Sequence, residues 1–80
     1  MHYVYIINSL NFPDQFYTGY TVDITQRLSD HNSGKSEHTR KYKPWKFVSY
    51  VAFESKEKAI EFEKYLKSGS GRAFVGRHLR

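Results

Sequence analysis

The chain has no cysteine, one methionine, two prolines and five glycines among its 80 residues. Without cysteine, neither a disulfide nor a thiolate-bound zinc can brace so small a domain. That absence fits a reducing compartment. No apolar run approaches the roughly 20 residues a membrane-spanning helix requires. The apolar stretch Val4 to Ile7 lacks the basic flank and the length of a secretory leader. No repeat, low-complexity tract or domain-separating linker is visible. The expectation is one soluble, cytoplasmic domain over residues 1–80, with no membrane among its partners.

Acid is also scarce, and unevenly so. Residues 1–34 hold one basic residue, Arg27, against Asp14, Asp23 and Asp30, whereas twelve of the thirteen lysines and arginines lie in residues 35–80. From Lys64 to Arg80 there is no acid at all. Such polarity suits a polyanion, nucleic acid being the commonest, although a net charge of +5 also serves solubility. What is abundant is aromatic side chain, at 18%. These residues fill a compact core at low entropic cost, since each buries a large area for two torsions.

Tyr3 to Asn8 is β-branched and aromatic and predicts a strand; Asn8-Ser9, Asn11 and Pro13-Asp14 predict a turn, with Gln15 to Tyr20 returning. Asp23-Ile24-Thr25-Gln26 is close to a capping box and starts a helix that runs to about Asn32, with Gly34 as its stop. Lys35 to Lys43 reads as a polar, basic loop ending at Pro44-Trp45, followed by a third strand from Phe47 to Phe53. Ser55 caps a second helix reaching about Lys67, and Ser68-Gly69-Ser70-Gly71 reads as a break before a short basic helical tail. The order β-β-α-β-α-(α) predicts an α+β fold: a small, mostly antiparallel sheet with helices packed on it.

Several residues sit where chemistry is possible. Arg27 and His31 are four apart on the first helix, beside the apolar pair Ile24 and Leu28, so a fixed cation and a titratable ring share one rim of the core. The plainer alternative is an arginine snorkelling over the sheet and a solvated histidine near a helix C-terminus. Glu63 projects from within the apolar side made by Ala59, Ile60, Phe62 and Leu66. A carboxylate there needs a partner: an ion pair with a cation such as Arg27, or a hard metal ion. Tyr17 and Gly19 share a strand face, where the glycine leaves space for a ligand to approach the sheet. A phenol titrates near pH 10 and acts as a base only with help, for which Arg27 and His31 are candidates.

Together the motifs resemble those of the GIY-YIG nuclease domain family, in its small single-domain form related to the N-terminal domain of the bacterial excision-repair nuclease. The resemblance runs through Tyr3-Val4-Tyr5, Tyr17-Thr18-Gly19, Thr21, Asp23, Arg27, Leu28, His31-Asn32, Gly34, Pro44-Trp45 and Ala59 to Lys67, nearly the whole chain. It implies a three-stranded antiparallel sheet flanked by helices and one-metal hydrolysis of a phosphodiester. By the same resemblance Tyr5 and Tyr17 are the signature tyrosines, Arg27 steadies charge on the phosphate, His31 assists, and Glu63 holds one Mg²⁺ or Mn²⁺. Either tyrosine can be the base, with Tyr5 favoured and Tyr17 orienting water or phosphate. Departures are Tyr3 for glycine, Thr18 for isoleucine, Tyr20 where excision-repair relatives tend to carry lysine, and no clear match to their polar C-terminal residue.

Three functions follow as expectations. The first is a metal-dependent DNA endonuclease, in repair or processing. The second is a non-catalytic nucleic-acid-binding module, gripping phosphates with Lys35, Arg40, Lys41, Lys43 and Lys46, and with Lys67, Arg72, Arg77 and Arg80 behind. The third is an accessory component of a repair complex, with a protein partner supplying targeting.

Overall fold

The apolar run at the start of the chain becomes β1 (His2–Ser9), the middle strand of a three-stranded sheet. That place explains why burial is continuous from Val4 to Ile7: a strand covered on both faces shows no apolar-polar alternation. In the computed structural model, which describes all 80 residues, β2 (Phe16–Thr21) pairs antiparallel along one side and β3 (Trp45–Phe53) along the other. Four helices complete the fold, in chain order: α1 (Ile24–Asn32), α2 (Glu37–Arg40), α3 (Lys56–Leu66) and α4 (Gly69–His78). This is the expected α+β architecture.

The two faces of β1 feed two cores. Val4 and Ile6 pack with Ala59 and Leu66 of α3 and Val75 of α4. Tyr5 and Ile7 pack with Trp45, and with Ile24 and Leu28 of α1. Each fully buried aliphatic side chain contributes about 1.5–3 kcal/mol, so Val4, Ile6 and Ile7 of this one strand stabilise both cores. A bulge breaks the β1–β3 register: Ile6 faces Ser49 but Ile7 faces Phe47, leaving Val48 as the extra residue.

Local signals are largely obeyed. Asp23 caps α1 by accepting from the Gln26 amide at 3.0 Å, but only half the box forms, because the Gln26 side chain donates to Asp30 instead. Ser55 caps α3 through the Lys58 amide.

Three expectations need correction. The segment Lys35–Lys43 is not all loop: α2 lies within it, a four-residue turn anchored by buried Thr39. β3 begins at Trp45, two residues before the expected start, because Asn32 clamps the Trp45 backbone, accepting from its amide at 2.5 Å and donating to its carbonyl at 3.1 Å. One residue further upstream, the Lys43–Pro44 peptide bond is cis. Finally, Ser68 to Gly71 is the start of α4 rather than a break, with Ser68 accepting from the Gly71 amide. Gly71 is needed for close approach, since a Cβ there would run into the Tyr65 carbonyl.

Candidate active site

Tyr5 lies at the centre of the second core, on the sheet face covered by α1. Cross-strand pairing sets Gly19 opposite it, and α1 lays Arg27 and His31 over its ring. The Tyr5 hydroxyl is 2.8 Å from His31 Nε2 and accepts from Arg27 Nε at 3.1 Å. His31 is fully buried, and its Nδ1 is 2.6 Å from the Thr39 hydroxyl, itself fully buried on α2. Thr39 is fixed in turn, because the Trp45 indole N–H donates to its carbonyl at 2.9 Å. A chain of contacts therefore runs Arg27, Tyr5, His31, Thr39, from the half-buried rim to the interior.

The expectation that His31 is either solvated or functional resolves against solvation. Its ring is sealed between Tyr5, Tyr17 and Thr39, with the Tyr17 ring centroid at 5.3 Å and the Tyr5 centroid at 5.8 Å. Arg27 likewise does not merely snorkel, since its Nε is committed to Tyr5. Its Nη nitrogens make no hydrogen bond or ion pair within the protein.

Burial pushes the Tyr5 phenol up to about 12; the Arg27 bond and charge pull it down, and the nearby Tyr17 and Glu63 add to the rise. In the free protein Tyr5 is therefore a neutral phenol. Burial also pushes His31 down, to about 4, with the Arg27 charge acting in the same direction. At neutral pH its ring is neutral, one nitrogen donating and the other accepting, and the hydroxyls on either side satisfy both tautomers.

Gly19 has a different role from the expected one. The space beside it is not open to a ligand: the Tyr5 phenol occupies it, and a Cβ on Gly19 would collide with the Tyr5 oxygen. Gly19→Ala should displace that oxygen from Arg27 and His31, destabilising the protein by about 1–3 kcal/mol as overpacking does. A urea midpoint unchanged from wild type would contradict this.

Glu63 sits at the opposite rim. Its carboxylate accepts from Lys67 Nζ at 3.2 Å, so the partner is a helix neighbour one turn on and not Arg27. The Lys67 ammonium is also 5.8 Å from the centroid of Tyr17, whose ring lies 6.5 Å from that of Tyr5. Tyr17, on an edge strand, thus links the buried phenol to the carboxylate. No cluster of three His, Cys, Asp or Glu side chains converges anywhere in the protein. A hard cation such as Mg²⁺ fits a single carboxylate, since it keeps several waters and takes further oxygens from a phosphate.

The sequence model of the GIY-YIG catalytic domain matches residues 1–76. The chain belongs to the GIY-YIG family. Similar members include the UPF0213 protein BH0048 of Halalkalibacterium halodurans, 42% identical over 72 residues that cover 89% of this chain and 74% of the relative. UPF0213 protein SpyM3_1077 of Streptococcus pyogenes serotype M3 is 35% identical over 83 residues, covering 98% and 88%. The solution NMR structure of BH0048 matches with a TM-score of 0.58 at 36% identity, over 98% of this chain and 85% of that one. This GIY-YIG chain shares the fold of BH0048, and no helix in it is long and apolar enough to cross a membrane.

Of the residues singled out from the sequence, Tyr5, Arg27 and His31 are joined by hydrogen bonds, Tyr17 packs on two of them, and Glu63 reaches the group through Lys67 and Tyr17. The expected phosphate-binding cations divide. Arg40, Lys41, Lys43 and Lys46 cluster around α2 and the start of β3, with Lys35 nearby and paired to Asp30 at 3.4 Å. Lys67, Arg72 and Arg80 gather beside α3 and α4, and Arg77 is exposed on α4. Tyr20, where a cation was missed, is instead held to His2, its hydroxyl 2.7 Å from the ring nitrogen. Thr39 was not foreseen at all.

Proposed function

We propose that this GIY-YIG chain is a divalent-metal-dependent endonuclease that hydrolyses phosphodiester bonds in DNA, serving repair or processing. One observation carries the reading: a single buried phenol is held at once by a guanidinium and an imidazole. A packing tyrosine needs one hydrogen-bond partner, whereas this one takes two, and the second is a cation whose charge the neutral phenol leaves uncompensated.

In this reading Arg27 spends Nε on Tyr5 and directs its Nη nitrogens at the phosphate under attack, where negative charge develops. The Tyr5–Tyr17 pair receives the attacking water. Because Tyr5 is protonated at neutral pH, it can take the water's proton only by passing its own to His31 Nε2, with His31 Nδ1–H then donating to Thr39. Tyr17, half-buried at the sheet edge, orients water and phosphate. Glu63 would hold a Mg²⁺ or Mn²⁺ ion, which would supply Lewis-acid stabilisation of the charge that develops in the reaction.

The second reading, a nucleic-acid-binding or accessory module, draws on the Glu63–Lys67 pair, which satisfies the carboxylate without metal. The two readings separate on one substitution. Labelled duplex, flap, bubble and single-stranded DNA and RNA are incubated with wild type or Glu63→Ala, in Mg²⁺, Mn²⁺ or chelator. The nuclease reading expects metal-dependent cuts by wild type and none by the variant, with salt-sensitive binding retained by both. Binding without cleavage in wild type favours the module.

A further inference from the structure

A cavity of about 450 Å³ opens between the edge strand β2 and the α3–α4 junction. Its size lies within the roughly 300–1,000 Å³ typical of small-ligand sites. Phe16, Leu66 and Val75 contribute an apolar floor, and Lys67, Arg72 and Arg80 a cationic rim. No acidic side chain lines it. The Arg80 guanidinium rests 4.3 Å from the Phe16 ring centroid, and neither Arg72 nor Arg80 has a carboxylate partner anywhere in the protein. Such walls suit an occupant that is anionic at one end and apolar or flat at the other. A nucleotide unit meets both demands, its phosphate on the arginines and its base against the apolar floor.

The cleft shares two residues with the candidate active site. Tyr17 lines both, and Lys67 is at once a rim cation and the sole partner of Glu63. We infer that this cleft holds a nucleotide of the substrate strand next to the cleaved bond, and that the bound phosphate draws Lys67 off Glu63, freeing the carboxylate for its divalent cation. The inference rests on the nuclease reading. An exposed ion pair one helical turn apart is weak, so a phosphate backed by two unpaired arginines competes for that ammonium effectively. Strand binding and metal binding are then coupled, and the free protein holds metal poorly.

Two measurements test this, both without turnover. In chelator, the affinity for a short fluorescent thymidine oligonucleotide is compared among wild type, the double variant Arg72→Ala/Arg80→Ala, and the control Lys56→Ala/Lys58→Ala, which removes the same charge from the start of α3. The cleft variant should bind roughly tenfold more weakly, as loss of charge-assisted contacts predicts, and the control within about twofold of wild type, its distant charges being screened. Equal losses in the two variants would overturn the cleft. Should the cleft variant not fold, oligonucleotide titration of wild type in chelator should shift the amide resonances of Thr18, Leu66 and Arg72; shifts confined to residues 35–46 would overturn it equally. For the coupling, Mn²⁺ is titrated onto protein free of nucleic acid and read by paramagnetic broadening at Glu63. Lys67→Met should bind roughly two- to fivefold more tightly than wild type, the factor a weak ion pair allows; unchanged affinity would overturn the coupling. Because none of these readings needs cleavage, the two failures are told apart: an inactive wild type would sink the nuclease reading and with it the placement beside a cleaved bond, whereas null results beside an active wild type would sink only this inference.

Discussion

Tyr5→Phe is expected to lower the cleavage rate by about 10²–10⁴-fold, the range over which a positioned acid or base contributes. The substitution removes one oxygen and little else, so the ring still fills the core between Ile7, Trp45 and α1. That oxygen, however, is where Arg27 Nε donates and where His31 Nε2 finds its partner. Arg27 is half-buried and can turn toward water. His31 is sealed, and its Nε2 would be left without a partner, costing about 1–3 kcal/mol of stability. The rate loss and the stability loss are separable by measuring single-turnover cleavage well below the unfolding midpoint. A variant that folds and cuts at the wild-type rate would remove Tyr5 from the reaction.

The second large effect is on stability against pH. His31 titrates near 4 in the folded protein but at its ordinary value of 6.5 when unfolded, because folding buries it and sets it near Arg27. The unfolded chain therefore binds more protons between these values. The stabilising contribution is complete above pH 6.5 and is lost as pH falls toward 4. From pH 7 to pH 5 the expected loss is about 2 kcal/mol, most of the shift having been crossed by then. Urea midpoints at the two pH values should show this for wild type, and a much flatter response for His31→Gln. Parallel slopes would mean that the ring is not held neutral by its surroundings. Thr39 and Tyr5 matter here because both are hydroxyls and can serve a neutral ring in either tautomer.

Much of this arrangement was legible in the chain, for reasons that differ by residue. β1 announced itself because a central strand is apolar on both faces, and the caps at Asp23 and Ser55 are local side-chain-to-backbone contacts that sequence spacing fixes. Arg27 and His31 could be placed together because one helical turn separates them, and Glu63 stood out because a carboxylate on an apolar face has to be explained. What spacing could not give was partners across the fold. Thr39 lies in a basic, polar stretch with no apolar period, and only the packing of α2 under Trp45 turns it inward. Gly19 looked like room for a ligand, because nothing in the sequence says that the facing residue, Tyr5, leans into that room. Glu63 found its cation one helical turn on, at Lys67, while Arg27 turned to the phenol.

The central claim is that Tyr5, Tyr17, Arg27, His31 and Glu63 form one metal-dependent hydrolytic site. Its most direct test is single-turnover nicking of duplex DNA with protein in excess, comparing wild type and Glu63→Ala in Mn²⁺ and in chelator, at protein concentrations giving equal bound DNA. The account predicts product only from wild type with metal, and none from the variant in either condition. Equal product from both proteins, or none from wild type under every condition, would contradict it.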